Sequence, residues 1–544
     1  MVRLSRCVLA VASGLFCAIP ARAVILYSSE NRNETPSADS IAYPAWQLEG
    51  QFGSFLGTPI APNYFITAAH IGTPAGPLVY QGSSYAIDPS FGTGGRTILP
   101  GSDLAVWKIT GTFQTYAPLY TGSDETDQHI VVIGRGTQRG SEVLVREQLR
   151  GWLWGPADGK QSWGENDVTR IIDAGEQLGD MLEFDFDGDR SPNECSLSSG
   201  DSGGAVFIQD AGVWKLAGIN YSVSGPFSYS RLGTDPFLAA LFDLRGLFVQ
   251  TDVNAWSPGY GTGASYASRI SPHASSIYSL VPGCPVVQAD YSVTGLADMG
   301  TVDVAGTTTV GNGVNSATLK ATYIRGNTLS IQAGSRVVVN PNGTDSGTSR
   351  LSNLNIASDG QLDLTNNALI IQADSSTRQA MFNQVSELIA RGRNGGRDPW
   401  QGNGITSSTA AESFLKGLAI ILNDDGTGIP IYTSFGGQGV DANSILVKYT
   451  WNGDLDLNGK VDGDDYFLID SGFLTRSRGY RNGDINYDGV IDGDDYFLMD
   501  SAFLGQNAPS SLLSPGGGTL VPEPTTLGML GLIGLGFLIR RTIR

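Results

Sequence analysis

Short runs of β-branched and aromatic residues, broken by glycine, proline and asparagine, fill the first half of the chain. Tyr64-Phe65-Ile66-Thr67, Leu104-Ala105-Val106-Trp107, Ile130-Val131-Val132-Ile133 and Ala205-Val206-Phe207-Ile208 are typical of it. Their length and spacing predict an all-β body from Val24 to about Pro282, closed by a short helix over His273 to Leu280. From 286 to about 373 the texture changes to Thr, Ser, Asn and Gly with apolar residues at alternate positions. Leu329-x-Ile331 followed by Val337-x-Val339 recurs as Leu354-x-Ile356 followed by Leu362-x-Leu364, with Leu369-x-Ile371 after it. Period-two strands with Gly or Asn corners predict a β-solenoid or sandwich-like stalk within 283–448, interrupted by a helical stretch near Arg378 to Arg391. Two more helices are expected where Tyr466-Phe467-Leu468-Ile469-Asp470 and Tyr496-Phe497-Leu498-Met499-Asp500 follow acidic loops.

A chain of 544 residues is too long for one core and divides into several domains. Residues 1–23 combine Arg3 and Arg6, an apolar run from Val8 to Ile19 and a small-x-small site at Ala21-Arg22-Ala23. This is the pattern of a secretory signal peptide, with Val24 as the mature N-terminus. Two of the four cysteines leave with it, so Cys195 and Cys284 permit a single disulfide without requiring one. The formal charge of −19 argues against nucleic acid as a partner. The linker and tail at 509–544 end with Pro522-Glu523-Pro524, an apolar run from Leu527 to Ile539 and Arg540, Arg541 and Arg544. In that order the three parts resemble the PEP-CTERM sorting signal. The resemblance implies transient inner-membrane anchoring through the C-terminal hydrophobic helix and cleavage by a sorting peptidase. It further implies delivery to the cell surface or extracellular matrix of a Gram-negative-type bacterium.

One short stretch, Gly200-Asp201-Ser202-Gly203-Gly204, places a serine between glycines and beside a carboxylate. A serine hydroxyl becomes a nucleophile only when a base takes its proton, and a neutral histidine in that role needs a carboxylate to fix its tautomer. Of three histidines, His70 ends the strand-like run Ile66-Thr67-Ala68-Ala69-His70, and Asp103 enters another such run, Asp103-Leu104-Ala105-Val106.

These segments resemble the trypsin/chymotrypsin-like serine proteases. APNYFITAAH, SDLAVWKI and GDSGGAVF match the family's histidine, aspartate and serine motifs in the same order, 33 and 99 residues apart, and WKLAGI and SRISPHASSI match two later segments. The likeness covers roughly residues 40 to 282. It implies a double β-barrel over 24–282, with His70 as general base and acid, Asp103 as its orienter and Ser202 as nucleophile. It also implies an oxyanion hole from the amides of Gly200 and Ser202. Ser196, six residues before the serine, stands where trypsins carry a pocket-floor aspartate, and Val223 falls near a pocket-lining glycine. Peptides cut after apolar or small residues are therefore the expected substrates. The family pairs the carboxylate before the nucleophile with a freshly cut N-terminal ammonium. Asp201 holds that place, and Val24, 46 residues ahead of His70, is the candidate partner.

Asp454-x-Asp456-x-Asn458-Gly459-Lys460-x-Asp462-x-x-Asp465 is repeated 30 residues later as Asp484-x-Asn486-x-Asp488-Gly489-Val490-x-Asp492-x-x-Asp495. Side-chain oxygens at loop positions 1, 3, 5, 9 and 12, a backbone carbonyl at 7 (Lys460, Val490) and glycine at 6 suit a calcium ion. The duplicated loops over 449–508 resemble type I dockerin repeats, which implies two Ca2+ sites and a cohesin-like partner. Gly463-Asp464 and Gly493-Asp494 replace the hydroxyl contacts common there, so a structural calcium knot stands as an equal alternative.

The sequence is thus read as a secreted, surface-sorted serine endopeptidase acting on protein or peptide substrates, with no cofactor needed for catalysis. The alternative is a catalytically dead surface adhesion or scaffold protein that uses the stalk and the dockerin-like module for binding.

Overall fold

The computed structural model describes residues 24–30, 33–34, 43–188, 191–252, 255–395 and 399–507. The segments expected to be a signal peptide and a C-terminal sorting signal lie outside them. Among the described residues no helix is long and apolar enough to cross a membrane.

The chain is mainly β, with two half-barrel sheets followed by a β-solenoid. The first antiparallel sheet has seven strands in the order Ser83–Tyr85, Leu78–Tyr80, Gly50–Phe52, Phe55–Ala61, Tyr64–Ala68, Leu104–Lys108 and Arg96–Ile98. The second, also of seven, runs Ser162–Asp167, His129–Gly134, Ala205–Asp210, Val213–Val223, Gly263–Arg269, Asp180–Phe186 and Arg170–Asp173. Leu56, Ile66 and Val106 of the first pack in one core with Val131, Phe207 and Leu216 of the second. That shared core fixes the two sheets against each other. The closing helix is Ala274–Leu280, and its Ala274 and Ile277 enter the same core.

The following strands wind as a solenoid. Leu296–Val310, Tyr323–Ile331, Ser349–Ile356 and Ala368–Gln372 pair in parallel on one side, and Thr318–Ala321, Arg336–Val339, Gln361–Asp363 and Gly404–Thr406 on the other. The loose repeat seen in the sequence is this winding. Leu329 pairs with Leu354, Ile331 with Ile356 and Val337 with Leu362. The helix Arg378–Arg393 and the antiparallel strands Lys416–Leu422 and Ser444–Trp451 cover its far end.

Two boundaries differ from those expected. The one at 448 falls inside the strand Ser444–Trp451. Leu455, Ile469, Tyr480 and Met499 of the acidic-loop module share a single apolar core with the solenoid's Leu418, Ile420 and Val447, which is why no linker separates them. At the other junction Cys284 packs in the core between the half-barrels, while its strand, Cys284–Gln288, pairs with Leu296–Val310 of the solenoid. Cys195 and Cys284 are both buried free thiols in separate cores, so the permitted disulfide is absent.

Candidate active site

The pairing of Tyr64–Ala68 with Leu104–Lys108 sets Ala68 opposite Leu104. The residues just outside each strand, His70 and Asp103, are thereby neighbours. The Ala69 N–H donates to the Asp103 carbonyl at 2.8 Å, and the His70 N–H donates to Asp103 Oδ1 at 2.8 Å. Asp103 Oδ2 lies 2.6 Å from His70 Nδ1. One carboxylate thus holds both the backbone and the ring of the histidine. Asp103 is 5% exposed, while one edge of His70 is open to solvent and the Tyr221 ring stands edge-on to it at 5.4 Å.

Ser202 reaches the site from the other sheet, on the loop that leads into Ala205–Asp210. Its Oγ lies 2.8 Å from His70 Nε2. The loop's path depends on glycine at two places. Gly200 and Gly203 have φ of +98° and +81°, in the left-handed region that side chains resist. A Cβ on Gly203 would stand 2.2 Å from Thr67 Oγ1 and 2.8 Å from the Leu56 carbonyl. The Asp201, Gly203 and Gly204 amides donate to Ser198, Asn220 and Asp201 carbonyls. The Gly200 and Ser202 amides have no acceptor among the described residues, and both residues line the cleft at Ser202. Such an arrangement can carry a proton away from a hydroxyl and hold a new negative charge on an attacked carbonyl.

Asp201 is buried beneath the loop. Its Oδ1 accepts the Gly136 N–H at 2.6 Å, and its Oδ2 accepts the Ser198 N–H at 2.7 Å and the Ser198 hydroxyl at 2.9 Å. The Val24 backbone N–H is directed at the same carboxyl. Burial outweighs these donors and pushes the acid up to about 6. Val24 arrives there because Ile25–Leu26 pairs antiparallel with Cys195–Ser196, and its side chain is 2% exposed. Its φ of +31° is unusual for a β-branched residue.

That same pairing buries Ser196. Its hydroxyl faces the Leu197 carbonyl at 3.3 Å and Ser265 Oγ at 3.5 Å, and it does not line the cleft. The expected pocket floor is therefore corrected. The cleft, about 470 Å³, takes its apolar walls from Phe55, Trp154, Leu197, Val223 and Leu238. Val223 stands where the sequence placed it. Trp154 and Leu238 were not foreseen, because they meet only through the pairing of Gln148–Ala157 with Ala239–Leu241 across some 88 residues of chain, as in Trp152 opposite Ala240.

In the acidic module, Asp454, Asp456 and Asp465 present carboxylate oxygens all within 4.8 Å of one another. Asp454 Oδ1 is buried without a hydrogen-bond partner. Desolvation pushes Asp454 up to about 7 and Asp465 to about 6. Asp465 Oδ1 accepts the Leu455 and Asp456 amides at 2.8 and 3.3 Å, and its Oδ2 accepts the Asp462 amide at 2.9 Å. The second loop repeats this wiring. Asp495 accepts Ile485 and Asn486 at 2.8 and 3.0 Å and Asp492 at 3.0 Å. Asn458 and Asp488 turn their side chains to the Lys460 and Val490 amides, and Asp484 accepts the Gly489 amide. Asp462 and Asp492 cap the helices Gly463–Thr475 and Gly493–Gln506.

No family model matches the chain, and no curated protein does. Among solved structures, the active form of the Rv3671c protease from M. tuberculosis is similar over 41% of this chain and 71% of its own, at 12% identity and a TM-score of 0.24. An inactive mutant of the murine norovirus NS6 protease is similar over 32% of this chain and 86% of its own, at 16% identity and a TM-score of 0.22. Likeness this slight leaves the chemistry to be argued from the site itself.

Proposed function

We propose that the chain is a secreted serine endopeptidase. The observation that carries this reading is the line Asp103, His70, Ser202, with hydrogen-bond distances of 2.6 and 2.8 Å, beside two amides that have no other acceptor among the described residues. Ser202 Oγ attacks the scissile carbonyl as His70 Nε2 takes its proton, and Asp103 steadies the imidazolium through Nδ1. The carbonyl oxygen, now an anion, accepts from the Gly200 and Ser202 amides, each such donor contributing about 10²–10³ in turnover. The C–N bond then breaks, the amine leaves with the proton from His70, and an acyl ester remains on Ser202. Water, deprotonated by His70, releases the acid and restores the serine. The intact arrangement counts against the scaffold alternative.

The cleft supports a preference for apolar or small side chains, since its walls are apolar and the Asp201 carboxyl is already engaged by amides and a hydroxyl. A charged guanidinium or ammonium there would be buried unpaired. Hydrolysis of a peptide library by the mature chain should be dominated by cuts after such residues and vanish in Ser202→Ala. A profile dominated by Arg or Lys would overturn the pocket reading.

Export and activation are proposed to be one event. Removal of residues 1–23 would turn the Val24 amide, already directed at Asp201, into an ammonium. The C-terminal segment would then route the protein to the cell surface, with a sorting peptidase cutting near Pro522-Glu523-Pro524.

The acidic loops are proposed calcium sites. The donors are all hard oxygens, and the unpartnered Asp454 Oδ1 fits a cation ligand. Asp454, Asp456, Asn458, Asp462 and Asp465 with the Lys460 carbonyl would hold one ion, and Asp484, Asn486, Asp488, Asp492 and Asp495 with the Val490 carbonyl the other. Bound calcium would offset the mutual repulsion of these carboxylates. The structural-knot reading is favoured over docking of a cohesin-like partner by the ties to the solenoid cap. Tyr432 Oη donates to the Asp456 carbonyl at 2.9 Å, Lys448 Nζ to the Leu457 carbonyl at 2.9 Å, and Arg393 to the Asn486 carbonyl at 2.7 Å.

A further inference from the structure

One strand bends where it passes the candidate site. In Val213–Val223 the register against Gly263–Arg269 slips between Asn220 and Ser222, so that Tyr221 is an extra residue in the pairing. A bulge of this kind re-aims the side chains beside it. The Tyr221 ring stands next to His70, and Asn220 is fully buried. Asn220 Nδ2 donates to the Ile133 carbonyl at 2.8 Å and to the Asp201 carbonyl at 3.2 Å. Reversing the carboxamide would set Oδ1 against those two carbonyl oxygens, so its orientation follows from its partners. The backbone of Asn220 binds the same loop. Its N–H donates to the Gly204 carbonyl at 2.8 Å, and its carbonyl accepts the Gly203 N–H at 3.1 Å. Gly204 leaves the room this needs, since a Cβ there would stand 3.0 Å from Asn220 Nδ2 and 2.1 Å from the Ile133 carbonyl. Asn220 Oδ1 is buried with no hydrogen-bond partner among the described residues.

We propose that Asn220 is a positioning residue which, by holding the Asp201 carbonyl, aims the Ser202 amide at the oxyanion. The role rests on the serine peptidase reading above and deepens it. In a trans peptide the N–H and C=O point in opposite directions, and the peptide joining Asp201 to Ser202 is trans. Its carbonyl accepts from Asn220 Nδ2 and, at 3.1 Å, from the Gly204 N–H. Its N–H, that of Ser202, therefore faces away from both donors, and it has no acceptor among the described residues. Turning this peptide would take the donor away from the cleft and break both bonds at once. The Gly204 bond lies within the loop and moves with it. Asn220 instead ties the peptide to another strand, and its bond to Ile133 anchors the carboxamide to His129–Gly134 as well. A donor held in this way needs no reorganisation as charge develops on the attacked carbonyl. An apolar side chain would fill the space without an orphaned Oδ1, so packing alone does not call for an amide here.

The test compares the mature chain with its Asn220→Ala and Asn220→Leu variants, each treated with a fluorophosphonate probe whose phosphoryl oxygen enters the oxyanion site once Ser202 is modified. Leucine cannot donate a hydrogen bond but fills the volume, so it separates the lost bond from a cavity. Both variants, shown to be folded by their melting curves, should label Ser202 more slowly by about 10²–10³-fold, the loss typical of one oxyanion donor. The phosphorus nuclear resonance of the completed adduct should move in both toward that of the denatured adduct, because the phosphoryl oxygen has lost a donor. A residue that only stabilised the fold would leave the rate of the folded protein and the resonance of its adduct unchanged. A folded variant that labels as fast as the parent, or an adduct whose resonance matches the parent's, would overturn the role of Asn220. A parent that never labels would overturn the peptidase reading and this role with it, which is a different outcome from a parent that labels at Ser202 and ignores position 220.

Discussion

At the scale of single residues, Glu49 makes a prediction about stability: it is buried, its Oε1 accepts the Thr58 hydroxyl at 2.6 Å, and its Oε2 has no hydrogen-bond partner among the described residues. Its acid rises from the ordinary value of 4.5 to about 8 in the folded chain. Between those two values the folded state keeps a proton that the unfolded state has released, so stability falls as pH rises through this window, by up to about 1.4 kcal/mol per pH unit. Below it both states are protonated and the contribution is complete. Thermal melting of the parent against pH should slope downward there, and E49Q should lack that component of the slope. If the two curves are parallel, Glu49 is not held neutral by the fold. No motif announces this residue, because it is buried only once the neighbouring strand has folded back and brought the Thr58 hydroxyl to it. His70, Asp103 and Ser202 were legible because each sits in a short local motif whose order and spacing carry the information. Trp154 and Leu238 were not, since the cleft wall they form exists only once distant strands have paired. Ser196 was misplaced for the same reason: an incoming N-terminal strand covers it.

At the scale of elements, that N-terminal strand is the one with most to decide. Ile25–Leu26 is two residues long, yet it buries Val24 beside Asp201 and sends Tyr27 edge-on among Trp152, Phe186 and Phe242. The Val24 amide already faces the carboxyl, so the proposed removal of residues 1–23 would add a positive charge rather than a new hydrogen bond. Protein beginning at Val24 should therefore label faster than the same protein with an acetyl cap or one extra residue, by at least about tenfold, equivalent to about 1.4 kcal/mol. Equal rates in the three forms would exclude the ammonium and leave Asp201 to neutral donors, the Gly136, Ser198 and Val24 amides and the Ser198 hydroxyl. The paired acidic loops were legible as a duplicated, oxygen-rich motif from their spacing. Their union with the solenoid was not, because it is made by the apolar residues between the ligands, Leu455 and Leu457, and by Tyr480 and Met499. Calcium should in consequence raise the melting temperature of the whole segment from 284 to 507 rather than order a separate fragment. A concentration near 100 times Kd would contribute about 2.7 kcal/mol. Melting that is unaffected by chelation, or by Asp454→Asn with calcium present, would contradict the proposed sites.

At the scale of the molecule, three bodies foreseen as consecutive domains turn out to share cores at their junctions. Cys284 belongs to the core of the half-barrels while its strand begins the solenoid, and the acidic module completes the core at the solenoid's other end. The period-two pattern revealed strands, and the loose repeat revealed their winding. Where one body ends is set by which apolar faces meet, and a single sequence does not display that. What unites the account is the claim that the seam between the two sheets holds an activated serine. The most direct measurement of it is fluorophosphonate labelling of the mature chain with the modified residue located by mass spectrometry. The account predicts a single adduct on Ser202 that disappears in Ser202→Ala and in His70→Ala while both variants remain folded. Labelling that persists in either variant, or an adduct on another residue, would contradict it.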